Sequence, residues 1–97
     1  MKKILLPLAL LISFSSFGQT AKEYYDSGIK KEKNGNYYGA IADFNKSIEL
    51  DSDYGLHYFN RALAKRLVGD KKGACEDARK SGSLGYPFPK MIADACN

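Results

Sequence analysis

Residues 21–54, AKEYYDSGIKKEKNGNYYGAIADFNKSIELDSDY, and residues 55–88, GLHYFNRALAKRLVGDKKGACEDARKSGSLGYPF, are two copies of one plan. Shifting the chain by 34 places lays the first on the second without a gap, and nine positions are identical. They are Tyr24/Tyr58, Lys31/Lys65, Gly35/Gly69, Gly39/Gly73, Ala40/Ala74, Asp43/Asp77, Lys46/Lys80, Ser47/Ser81 and Leu50/Leu84. Tyr25/Phe59 and Ile29/Leu63 are conservative pairs. A fixed period of this length is the mark of a stacked repeat, in which each unit has an apolar face that only its neighbour can bury.

Local signals inside the unit read helix, turn, helix. Thr20 and Glu23 form a capping-box pair ahead of a helix from Ala21 to about Asn34. Asn34-Gly35-Asn36 breaks it: Gly35 is free to adopt positive φ, and Asn36 stands where it can cap the next helix. From Tyr37 to Leu50, the residues Ala40, Ile41, Phe44, Ser47 and Ile48 fall at spacings of three and four, a stripe along one helical face. Asp51-Ser52-Asp53 is expected to end that helix and cap the third. In the second unit Tyr58, Phe59, Ala62, Leu63 and Leu67 mark one helix, Gly69-Asp70 the turn, and Ala74, Ala78 and Leu84 the next. Gly82 and Gly85 are expected to end it, with Pro87 and Pro89 resetting the chain. Met91, Ile92 and Ala95 suggest a short last helix. No strand periodicity is present, so the fold class is all-α.

Ahead of the repeats, Met1-Lys2-Lys3 is a basic start, Ile4 to Ser13 is apolar apart from Pro7, and Ser16 and Gly18 are the small residues before a cut at Gln19. This three-part layout predicts a secretory signal peptide over 1–18. The apolar run is about half of the roughly 20 residues a membrane-spanning helix needs. No stable span is expected after cleavage, and the mature chain would be periplasmic or secreted. The whole chain has 15 basic and 11 acidic residues; losing Lys2 and Lys3 leaves 13 against 11, a net +2. A balance that mild, evenly mixed, gives no basis for a nucleic-acid partner.

The period of 34, with Tyr24, Gly28, Tyr37, Ala40, Phe44 and Leu50 in the first unit and Tyr58, Ala62, Ala74 and Leu84 in the second, resembles the tetratricopeptide repeat (TPR). The resemblance covers residues 21–88, with 88–96 similar to the usual capping helix of a domain spanning 19–97. It implies an α-solenoid of two helix-turn-helix units. Small residues at positions 8 and 20 would let the paired helices approach, and aromatics would fill the gaps between units. The chain departs from the family at Ser52, where Pro is usual, at Ser27 and Arg61, where Leu is usual, at Lys31 and Lys65, and at Ala78, where an aromatic is usual. The stretch Gly69 to Pro87 and the Ser-Phe-Gly-Gln end of the leader resemble small exported TPR proteins of Bacteroidetes-type bacteria.

What the resemblance implies is binding, not catalysis. The first helices of the units would line a concave groove with Lys22, Tyr25, Asp26, Ile29, Glu32 and Lys33, then Leu56, Phe59, Asn60, Leu63, Arg66 and Leu67. There Tyr25, Ile29, Phe59 and Leu63 would form an apolar strip flanked by Lys33 and Arg66, suited to a helical or extended peptide or protein. The family's carboxylate clamp needs Lys and Asn where this chain has Tyr25 and Ile29, so Asn60 is a lone match and a C-terminal carboxylate ligand is not expected. A second copy of the chain covering the strip, as a structural homo-oligomer, is the alternative. Cys75 near the start of one helix and Cys96 at the end of the next would meet in an antiparallel hairpin, which predicts a disulfide. A thiol-dependent enzyme is the remaining alternative, although the pair lacks a Cys-x-x-Cys spacing. His57, the sole histidine, has no ligand set around it and reads as a surface residue. No metal site, catalytic residue or cofactor is implied.

Overall fold

The computed structural model describes residues 19–86 and Cys96. The expected leader (1–18) and nearly all of the expected capping helix (88–96) lie outside these. Four helices follow one another: α1 (Ala21–Lys33), α2 (Tyr37–Leu50), α3 (Gly55–Leu67) and α4 (Lys71–Ser83). No described residue is in a strand. Helix α1 packs along α2, and α3 along α4; α2 packs along α3, and α1 meets α3 more lightly. This is the two-unit solenoid read from the repeat.

The helix ends follow from named side chains. Thr20 Oγ1 accepts from Glu23 N (3.1 Å) while Glu23 Oε1 accepts from Thr20 N (2.8 Å), so the capping box is complete. Asn36 Oδ1 accepts from Gly39 N at 3.0 Å, and Asp70 Oδ1 from Gly73 N at 2.9 Å, capping the second helix of each unit identically. Three helices stop in the same manner. Gly35 (φ 82°), Gly69 (φ 89°) and Gly85 (φ 101°) take the left-handed conformation. The residue after each donates to a carbonyl five back: Asn36 to Lys31, Asp70 to Lys65, and Tyr86 to Ser81. Gly82 is therefore inside α4 and does not end it; only Gly85 has the required backbone.

One expected cap is absent. The residue capping α3 is Tyr54, which makes no side-chain cap bond. Asp51 is occupied within the turn, its Oδ1 accepting from Asp53 N at 3.3 Å, so the Asp51–Asp53 run closes the turn rather than capping α3.

Among the described residues the core falls into two clusters. Ala40, Phe44 and Ala64 are fully buried, with Tyr25, Ile29 and Ile41 packed on them. Because Ala64 belongs to α3, this cluster joins the units. Ala62, Ala74 and Ala78 form the second, with Leu63 against it. The position that is Gly28 in unit one is Ala62 in unit two, and Phe44 corresponds to Ala78. A Cβ on Gly28 would sit 2.6 Å from Phe44 Cε1. The large ring thus needs the glycine, and the alanine that replaces the ring tolerates an alanine opposite. Ala78 is a compensated departure.

The two lysine departures are explained similarly. Lys31 Nζ lies 3.1 Å from Asp43 Oδ2, and Lys65 Nζ 3.0 Å from Asp77 Oδ2. Each ion pair ties the two helices of its unit. Ser27 Oγ donates to Asp43 Oδ2 at 2.6 Å. At the same place in unit two, Arg61 grips Asp77 with Nε and Nη2, both at 2.7 Å, and reaches Asn45 in unit one through Nη1 at 2.8 Å. Asp77 is buried, and three donors from Arg61 and Lys65 satisfy its charge.

Cys75 and Cys96 are joined by a disulfide, with Cα atoms 4.9 Å apart. It pins the far end of the chain to α4.

Candidate functional site

Among the described residues, two cavities lie on the face that α1 and α3 share. The first, of about 370 Å³, is walled by Ala21, Tyr25, Tyr54, Leu56 and His57. Lys22, Asp26 and Asp51 contribute its charges, with Lys22 Nζ paired to Asp26 Oδ2 at 2.8 Å. The second, of about 330 Å³, is lined by Ile29, Glu32, Lys33, Tyr37, Asn60 and Leu67. Large apolar side chains reach the surface on these walls: Tyr54 and Leu67 are each 45% exposed.

Between the cavities a hydrogen bond bridges α1 and α3. Asn60 Nδ2 donates to Tyr25 Oη at 2.8 Å. The same nitrogen donates to Leu56 O, one turn back on α3, at 3.1 Å. Tyr25 lines the first cavity and Asn60 the second. The Tyr25 ring is fixed from two more sides, 5.2 Å from His57 and 5.9 Å from Phe44 between centroids. Burial raises the Tyr25 hydroxyl above its usual pKa, nearby Tyr54 and Tyr86 add to this, and the Asn60 bond pulls the other way. Burial likewise raises the Glu32 carboxyl.

His57 is not on the surface: it is 2% exposed. The residues that cover it come from elsewhere in the chain. Tyr25 arrives from the preceding unit, and Tyr54 packs edge-on at 4.9 Å from the inter-unit turn. Burial lowers its pKa, opposed by a hydrogen bond with the Asp51 backbone and by the Asp51 charge. Its Nδ1 is buried without a hydrogen-bond partner among the described residues. The neutral imidazole acts as a flat wall.

The structure distributes the residues expected to line a groove unevenly. Tyr25, Ile29, Lys33 and Asn60 lie on the two cavities. Phe59 and Leu63 are half-buried on α3 and line neither, Leu63 being drawn onto the Ala62, Ala74 and Ala78 cluster. Arg66 is exposed near the end of α3. Leu56 and Leu67, which stand at expected groove positions outside the apolar strip, also line the cavities, whereas Tyr54 and His57 are walls at no expected groove position. Among the described residues no three His, Cys, Asp or Glu side chains are grouped to hold a metal ion. No helix among them is long and apolar enough to cross a membrane.

No protein-family model matches the chain. A tetratricopeptide repeat protein 36 homolog from Nematostella vectensis is 37% identical over 75 residues, 77% of this chain and 41% of that protein. Tetratricopeptide repeat protein 36 of Danio rerio is 39% identical over 57 residues, covering 59% of this chain and 30% of the relative. The relatives support a TPR-like family. An uncharacterized protein of Methanocaldococcus jannaschii is 39% identical over 72 residues, 74% of this chain and 79% of its own length. The chain spans less than half of the two TPR relatives, so the match concerns the repeat and not their remaining length. A TPR-like repeat is a protein-interaction module in general terms, consistent with a face built of cavities and exposed aromatic walls.

Proposed function

We propose that this chain is an exported, non-catalytic interaction module that holds a peptide or a peptide segment of a protein between α1 and α3. The observation that carries this reading is the pair of apolar-walled cavities on one face, with Tyr54 and Leu67 each 45% exposed there. Exposed apolar walls around a concavity are unfavourable in water unless something covers them. The basic start, short apolar run and small residues of 1–18 support export, and the intact mass of the protein recovered from cells tests the cut after Gly18.

Binding is tested by affinity capture from the native cell envelope with wild type and a Tyr54→Ser, Leu67→Ser double variant. Both side chains are partly exposed, so the variant keeps its fold, as circular dichroism would verify. A protein retained by wild type and lost by the variant supports the groove. Identical retention by both, or none by either, overturns it. Sedimentation of the same pair over a range of concentrations separates a second copy of the chain from a foreign partner.

A further inference from the structure

We infer that the edge carrying the two intra-unit turns docks on an anionic phospholipid surface, with its lysines against the lipid phosphates and Tyr38 at headgroup level. This does not depend on what the cavities hold.

The repeat brings the turns together. Helices α1 and α2 form one hairpin, α3 and α4 the next, and α2 packs along α3. The turns at 34–36 and 68–70 therefore emerge on one edge. Lys33 and Tyr37, on either side of the first turn, line the same cavity as Leu67, beside the second. Residues 30–40 and 64–74, which build this edge, hold seven basic and two acidic residues, a net +5. The described residues of the opposite edge, 19–24, 47–57 and 80–86, hold two basic and four acidic, a net −2. The mild overall balance hides a separation of charge from one end of the helices to the other.

Folding accounts for only some of these cations. Lys31 and Lys65 are held by Asp43 and Asp77; with those two carboxylates counted, the edge is still +3. Lys30, Lys33, Lys71 and Lys72 are exposed and, among the described residues, make no ion pair. Lys30 and Lys33 close α1, where the helix dipole favours cations. Lys71 and Lys72 open α4, where it opposes them, and no acidic residue stands in that first turn. Helix formation gives no reason for lysine there. Their counterparts in unit one are Tyr37 and Tyr38, and Tyr38 is 72% exposed. Lysine stems and tyrosine rings both join an apolar body to a polar tip, which suits the headgroup boundary of a bilayer. Six of the seven cations are lysines, point charges matched to a diffuse anionic sheet; discrete phosphates, as in nucleic acid, are better met by arginine forks.

The distance between the edges fixes an orientation. A helix of 13 residues is about 20 Å long. That exceeds two Debye lengths at physiological salt, each about 8 Å. With the turn edge on lipid, the acidic edge lies beyond the reach of the surface charge and does not oppose attachment. The helices then stand upright, and the face shared by α1 and α3 stays open to the side.

The test uses residues 19–97 with the disulfide formed, so that the apolar run of 4–13 cannot bind lipid itself. They are sedimented with vesicles of phosphatidylcholine, alone or with about one-third phosphatidylglycerol, in about 0.1 M salt. Binding to the anionic vesicles alone is expected, and it should vanish toward 1 M salt, where screening is nearly complete. Lys71→Gln with Lys72→Gln should lower partitioning about 10- to 30-fold, with the urea midpoint unchanged or slightly raised because the conflict with the dipole is relieved. Lys46→Gln with Arg79→Gln removes the same charge from the other halves of α2 and α4 and should lower it less than about threefold. Tyr38→Ser should weaken binding without altering its salt dependence. Equal losses from the two double variants, equal binding to neutral vesicles, or none to anionic ones would overturn the inference. So would a single-stranded RNA homopolymer that binds tighter than the vesicles and is lost in the Lys71, Lys72 variant, or inorganic phosphate that displaces the protein better than chloride of equal ionic strength.

Discussion

Gly28→Ala should destabilise this protein even though alanine is the better helix former. In mid-helix the exchange contributes about 1 kcal/mol of stability through backbone entropy. Here the new Cβ would stand 2.6, 2.9 and 3.0 Å from three atoms of the Phe44 ring. Carbon atoms in contact prefer about 3.5–4.0 Å, so the ring must retreat by roughly 1 Å. It has nowhere to go: Phe44 is 0% exposed and clustered with Ala40 and Ala64. Overpacking of this kind costs about 1–3 kcal/mol, leaving a net loss of about 1. In a Phe44→Ala background, itself about 3–5 kcal/mol less stable, the obstacle is gone and Gly28→Ala should stabilise by its full ~1 kcal/mol. The sign of the effect reverses, with a coupling of about 1–3 kcal/mol. Urea unfolding of residues 19–97, followed by far-ultraviolet circular dichroism under oxidising conditions, measures it. Phe44→Leu is the background to use if the alanine variant does not fold. Equal stabilisation by Gly28→Ala in both backgrounds would refute the reasoning, including the account of Ala62 and Ala78 as its natural counterpart.

Other expectations follow from the same packing. Asp77→Ala strands Arg61 and Lys65 in a part-buried site and should cost about 3 kcal/mol, whereas Asp43→Ala, with the more exposed Lys31, should cost nearer 1 in the same urea assay. His57 has a folded-state pKa below its ordinary value near 6.5, so the unfolded chain binds the proton more readily. The stability it contributes is fully present above about pH 6.5 and is lost as pH falls toward the folded value. Urea midpoints from pH 7.5 to 5 should show this decline, and His57→Gln should flatten it. Cys75→Ser opens a loop with a sequence separation of 21 and should remove about 3 kcal/mol, seen as a lower thermal midpoint that reductant does not change further.

The sequence carried the fold because the repeat wrote each structural device twice. Lys31/Lys65 and Asp43/Asp77 were visible as identities, and their pairing across each helix hairpin explains why they recur, although spacing alone did not join them. The turns were legible from Gly35 and Gly69, whose backbone requirement is local. What depended on contacts between units was not legible. His57 sits at a helix start, and nothing nearby announces that Tyr25, 32 residues earlier, will come over from the preceding unit to enclose it with Tyr54. Leu63 looked like groove and is shared with the Ala62 cluster. The first cavity is walled partly by the inter-unit turn, so Tyr54 entered no helical stripe. Asn60 was visible as a residue type, but its bond to Tyr25 joins two units and was not.

The most direct test of the groove is hydrogen exchange of residues 19–97, alone and saturated with a captured partner. The account predicts added protection along Ala21–Lys33 and through the first turns of α3, with the outer face of α4 unchanged. Protection confined to α4, or spread evenly over all four helices, would contradict it.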